Sequence, residues 1–190
     1  MRKSLSLLAA AAVLSAASLA QAADYAIDPT HTFATFEIGH FGASVNRGRF
    51  DKKEGRISFD KAAQTGSVDV SFDVASVNTG TANFDKHLAS AEILNAEKFP
   101  KARFVSTRFQ FNGDQLRAVD GQLTLLGKTQ PVTLKANQFA CYESPMLKRE
   151  VCGGDFEATI DRTAFGVNYG VDWGFPKNVR LVLQVEGVKQ

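Results

Sequence analysis

Ser67-Val68-Asp69-Val70-Ser71-Phe72-Asp73-Val74 alternates without a break between small or acidic residues and apolar ones. Successive side chains of a strand point to opposite faces, so this octet reads as a strand with one apolar and one wet side. That is the pattern of an antiparallel sheet packed on one face and solvated on the other. Val179, Leu181, Leu183 and Val185, opposed by Arg180, Gln184 and Glu186, repeat it near the C-terminus. Weaker versions occur at Ala34-Phe36-Ile38, Ile57-Phe59, Leu123-Leu125, Val132-Leu134 and Phe156-Ala158-Ile160. From Phe104 to Phe111 aromatic residues fall on both parities, which predicts a strand covered on both faces.

Turn residues separate these runs: Gly39 and Gly42, Gly66, Asn112-Gly113-Asp114, Gly127-Lys128 and Gly153-Gly154. Asn112-Gly113 between two strand runs is a hairpin signal. About nine short strands result, without βαβ alternation, which predicts an all-β sandwich or closed barrel. One segment differs. From Thr81 to Leu94, Phe84, Leu88 and Ala91 fall at i, i+4 and i+7, as on one face of a helix. Asn83 is the expected N-cap, Asp85 suits the first turn, and Pro100 bars continuation. This short amphipathic helix is expected to pack on the barrel or plug its end.

The N-terminus points to export. Arg2 and Lys3 precede an Ala/Leu-rich stretch from Leu5 to Ala20, and Ala20-Gln21-Ala22 supplies a small-x-small cleavage pattern. Residues 1–22 therefore read as a signal peptide and residues 23–190 as one mature domain, expected in the periplasm. The stretch is short and Ala-rich for a membrane span, and no stable membrane insertion is expected. The chain carries a formal net charge of +2, and the leader holds two basic residues and no acid, so the mature domain is near neutral. It offers no basic stripe of the kind that displaces counterions from nucleic acid.

Cys141 and Cys152 are the only cysteines. In an oxidising compartment two lone cysteines flanking a short loop pair, and neither a close CxxC nor an adjacent His suggests redox or metal chemistry. A structural disulfide is expected.

Catalytic signatures are missing. His31, His40 and His87 fit no HxH, HExxH or Cys/His spacing, so no metal site is expected, and there is no GxSxG elbow. Asp28, His31 and the Asp85–His87 pair are candidates for a polar junction that orders a ligand's head group or fastens the helix to the strands. Fastening is the commoner role for such groups. His31 and Asp85 are the pair to test for catalysis; the expectation is that the protein is not an enzyme.

Fifteen Phe stand against three Tyr and one Trp. A barrel of about eight strands either fills its interior with side chains or encloses one small ligand, and composition does not choose between them.

Several spaced motifs carry a resemblance. Asp28-Pro29-Thr30-His31-Thr32-Phe33-Ala34-Thr35-Phe36 runs on through Ile38, His40, Gly42 and Val45 to Gly48-Arg49-Phe50. Asp85-Lys86-His87-Leu88-Ala89-Ser90, Phe99-Pro100-Lys101-Ala102-Arg103-Phe104-Val105-Ser106, Gly121 to Thr129 with Val132 and Leu134, and Arg162-Thr163-Ala164-Phe165-Gly166 follow in order. Together they resemble the YceI-like family of exported polyisoprenoid-binding proteins.

The resemblance implies a lipocalin-like antiparallel barrel whose pore holds a polyprenyl chain or an isoprenoid quinone, with no other cofactor. Within it, strand parity assigns Phe36, Ile38, Phe50, Phe59, Val70, Phe72, Leu123, Leu125, Phe156, Leu181 and Leu183 to the interior. Phe84 stands where relatives often carry a basic residue, and the Cys141–Cys152 loop looks like an elaboration that borders the pore mouth or braces a hairpin. The implied function is a lipid carrier. The alternative is a stress-related structural or interaction barrel with a filled core. An exposed apolar mouth is compatible with a homodimer.

Overall fold

The computed structural model describes residues 22–190; all but the last position of the expected leader lies outside the described residues. The octet at the centre of the sequence reading is strand as far as Asp73, in one of eleven strands. They are β1 (Ala23–Ile27), β2 (Phe33–His40), β3 (Ser44–Phe50), β4 (Lys53–Asp60), β5 (Thr65–Asp73), β6 (Val77–Asn78), β7 (Lys101–Asn112), β8 (Gln115–Leu125), β9 (Lys128–Glu143), β10 (Glu150–Asp161) and β11 (Asn178–Lys189). The order β1-β4-β5-β7-β8-β9-β10-β11 closes on itself through a β1–β11 pairing, giving an eight-stranded antiparallel barrel. Strands β2, β3 and β6 extend from it.

The extension begins at a fork in β11. Its Gly187–Lys189 end pairs with β1, while Arg180 to Gln184 pairs with β2. The chain crosses between these partners at residues 28–32, and Thr32 pins the crossing. Its hydroxyl, fully buried, donates to the Glu186 carbonyl and accepts from the Glu186 amide, both at 3.1 Å. The side chain thus supplies both halves of a backbone pairing that the sheet lacks at that point.

The reading of β7 needs correction. It is not covered on both faces: the pairing with β8 slips between Ser106 and Arg108, where a β-bulge adds a residue and reverses the parity. Phe104 before the bulge and Phe109 after it consequently face the same interior. Diagonal to Phe104, Gly121 of β8 leaves room for the ring; a Cβ built there would overlap both that ring and the Val105 carbonyl.

The helix, α1, spans Ala82–Ala89, shorter than the periodicity suggested. Thr81 rather than Asn83 occupies the N-cap, without a side-chain capping bond, and Ala91 is exposed beyond the helix end. Phe84 and Leu88 face the barrel interior, while Leu94 and Ala96 in the following turns pack near Val74, Ala102 and Leu125. Asp85 fastens the helix, accepting from the Thr79 amide at 2.7 Å and the Thr79 hydroxyl at 2.6 Å. Among the described residues no helix is long and apolar enough to cross a membrane.

Candidate functional site: an apolar cavity along the barrel axis

The barrel is hollow. Inward-facing residues of the strands enclose a cavity of about 610 Å³, of the size that holds a small molecule and far beyond one water. A filled core is therefore excluded. All eleven residues assigned inward by parity line it: Phe36 and Ile38 from β2, Phe50 from β3, Phe59 from β4, Val70 and Phe72 from β5, Leu123 and Leu125 from β8, Phe156 from β10, Leu181 and Leu183 from β11.

One end is crossed by aromatic rings. Phe59 stacks on Phe109 and Phe111 at 6.3 Å and meets Phe139 edge-on at 5.3 Å. Tyr25 and Cys152 complete this cluster. The Tyr25 hydroxyl donates to Glu150 Oε1 at 2.7 Å, and burial together with that carboxylate pushes the phenol's pKa up. Cys141 and Cys152 sit directly opposite each other in β9 and β10 and are bonded, so the disulfide braces the hairpin. Cys152 also lines the cavity.

The other end is built from pieces that strand parity does not reach. The β2–β3 hairpin brings His40 and Phe41 against Phe175, with ring centroids 4.6 to 5.3 Å apart. Tyr169 lies between His87 of α1 at 4.9 Å and Trp173 at 5.3 Å. Phe41 and Trp173 are exposed, at 58% and 65%. Gly166 begins this loop in a left-handed conformation (φ 92°), which explains the glycine in its motif. Its amide caps the 3-10 turn Arg162–Phe165.

The expected polar junction does not assemble. Of its four members only His87 lines the cavity. Asp85 is taken up by Thr79. Asp28 and His31 lie with Glu186, their ligand-type atoms within 4.8 Å of one another, on the crossing between β1 and β2. The exposed His31 pairs with Asp28 there at 2.9 Å. His31 and Asp85 thus belong to separate networks and form no catalytic pair. Nor do the three histidines converge, since His40 and His87 sit in different ring clusters and His31 is outside the lining. Histidine spacing could not have revealed the mixed Asp28–His31–Glu186 group, because Glu186 comes from the far end of the chain.

Burial opposes ionisation of Asp28, but hydrogen bonds from His31 and Thr30 outweigh it and hold the carboxyl at about 2. The same contact raises His31 above its usual 6.5. Asp28 thus contributes stability above its unfolded pKa that is lost as pH falls toward 2; His31 contributes below 6.5 and loses it as pH rises through its raised pKa. The pair is strongest between about pH 4 and 6.5. In an NMR titration His31 is expected to titrate later than a free imidazole, and Asp28→Asn to return it to the ordinary range. An unchanged His31 midpoint in that variant would contradict the pairing.

Comparison with known proteins agrees with this architecture. A profile of the YceI-like domain matches residues 25–187. The chain belongs to the YceI-like family. Among YceI-like relatives, a UPF0312 protein of Pseudomonas aeruginosa (strain LESB58) and Protein YceI of Escherichia coli O157:H7 are each 39% identical over 194 residues, covering 100% of both chains. BcnA of Burkholderia cenocepacia shares the fold with a TM-score of 0.70 at 23% identity, over 84% of this chain and 98% of that one. A polyisoprenoid binding domain from Saccharophagus degradans, implicated in plant cell wall breakdown, gives 0.65 at 14% identity over 87% and 98%.

Proposed function

We propose that the protein is a periplasmic carrier that sequesters one long isoprenoid lipid, a polyprenyl or an isoprenoid quinone, and catalyses no reaction on it. The observation that carries the reading is the hollow barrel lined by Phe and branched aliphatic side chains. Each CH₂ moved from water into such a lining contributes about 0.8 kcal/mol, so a long tail gains affinity without specific polar contacts. The Saccharophagus degradans domain of the same fold, described as polyisoprenoid binding, supports the ligand class. The leader-like N-terminus and the disulfide support the compartment. Beyond the lipid no cofactor is required.

Protein purified without detergent is expected to release an isoprenoid-tailed species on solvent extraction, resolved by mass spectrometry at about one per barrel. Lipid-free protein that also refuses a fluorescent polyprenyl probe would end the proposal.

A further inference from the structure

Among the described residues six large apolar side chains are exposed: Phe41, Val45, Tyr142, Met146, Leu147 and Trp173. Two of them, Phe41 and Trp173, also line the cavity. Apolar surface is therefore continuous from the lumen to the outside of the barrel at the α1 end. At the opposite end the lining is shut away, with Tyr25 and Phe59 5% exposed and Cys152 8%.

Both rings are held where they stand. Phe41 takes a left-handed backbone (φ 49°) in the β2–β3 turn, where the Ala43 amide donates to the His40 carbonyl at 3.0 Å. A bulky residue rarely adopts that conformation. Here it sets the ring edge-on against Phe175 while most of the residue stays in water. Buried Arg162 ties down the loop that carries Phe175 and Trp173. Its Nε donates to the Pro176 carbonyl at 2.9 Å, and Nη1 to the Val167 and Tyr169 carbonyls at 2.9 and 2.8 Å. Trp173 rises from that loop between two left-handed glycines, Gly170 and Gly174, and meets Tyr169 edge-on.

The size and chemistry of this rim select its partner. A stable dimer covers about 800 Å² on each partner. The exposed parts of Phe41, Val45 and Trp173 offer on the order of 300 Å², set on a hairpin turn and a loop. The turn carries no charge, since Phe41-Gly42-Ala43-Ser44-Val45 is exposed throughout and contains no ionisable residue. An uncharged turn bearing a Phe ring, beside an indole with an apolar body and one N–H, suits the boundary between lipid chains and headgroups.

We propose that this rim docks reversibly on the surface of a lipid bilayer, so that cargo passes between membrane and cavity along unbroken apolar surface. This rests on the carrier reading above and names its partner. The contact is peripheral, with side chains entering the headgroup region. Because the turn is uncharged, attraction comes from apolar burial, and salt changes it little.

The chain's one Trp reports docking directly. With vesicles of equal parts phosphatidylethanolamine and phosphatidylglycerol, Trp173 emission is expected to shift to the blue. Lipids brominated along the acyl chain should quench it, and both effects should persist in high salt. Ala43→Glu puts a charge into the contact without touching the lining and is expected to weaken vesicle binding about ten-fold. Its uptake of a fluorescent polyprenyl probe from dilute ethanol should be retained, and transfer of that probe from vesicles slowed. Val45→Glu is expected to act in the same way, and Met146→Ser, on the far hairpin, to change nothing. Trp173 emission that vesicles leave unshifted overturns this inference, and the carrier reading stands if the probe still enters. Vesicle binding that survives both Glu variants, or that Met146→Ser abolishes, also overturns it. So does a blue shift that grows with protein concentration in the absence of vesicles, which reports two copies pairing through this face. Failure of probe uptake overturns the carrier reading, and the Trp173 shift then decides docking by itself.

Discussion

Phe104→Ala is expected to destabilise the protein by about 3–5 kcal/mol, whereas Phe72→Ala should cost well under half of that. The two rings are diagonal neighbours, Phe72 pairing with Ala102 and Phe104 with Val70 across β5 and β7. Their surroundings differ. Phe104 is 7% exposed, lies in the cluster with Leu116, Val119, Val132, Phe156, Ile160 and Phe165, and has its ring laid over Gly121. Removing it leaves a void in a packed region that the neighbouring strands cannot collapse to fill. Both rings line the cavity, but Phe72 is only half-buried and belongs to no packed core cluster, so it gives up fewer contacts. Its loss enlarges the cavity and should weaken or broaden lipid selection more than it weakens the fold. Urea denaturation of lipid-free protein measures both costs. Equal costs would mean that the space beside Phe72 is closed in solution.

Replacing Cys141 and Cys152 together by Ser is expected to lower stability by about 3 kcal/mol. The loop closed by the bond has a sequence separation of 11, and its closure entropy in the unfolded chain accounts for that amount. The bond lies in the wall beside the Phe59 cluster, so a second effect follows. Without it, the β9–β10 hairpin should open at lower denaturant than the rest of the barrel, visible as early amide exchange at residues 139–143 and 150–154. A change below about 0.5 kcal/mol would show that strand pairing alone already fixes this hairpin.

Strand parity turned inward the side chains that line the cavity because a period of two is strict: once Phe36 faces inward, Ile38 must as well, and the same holds for Leu181 and Leu183. It failed on β7, where the bulge between Ser106 and Arg108 inserts a residue and no local residue type announces it. The helix was legible from Phe84 and Leu88, but its length was not, because Ala91 happened to continue the spacing beyond Ser90. The loop of residues 166–177 has no periodicity, so Tyr169, Trp173 and Phe175 gave no sign of facing the cavity. Arg162 was visible only as part of a family motif; its burial and its hold on the loop arise from tertiary structure. The separation of Asp28 from Asp85 is likewise a matter of which wall each ends on, which spacing along the chain does not encode.

The fork in β11 has a consequence for traffic. On one side of Glu186 a single strand completes the wall; on the other the sheet runs on into β2, β3 and β6. The wall therefore carries extra strands on the side of α1, while the Phe59 rings cross the other end. The two ends of the cavity thus differ in what lines them. For the carrier proposed above, entry and exit through the α1 end alone would mean that one barrel holds one cargo at a time.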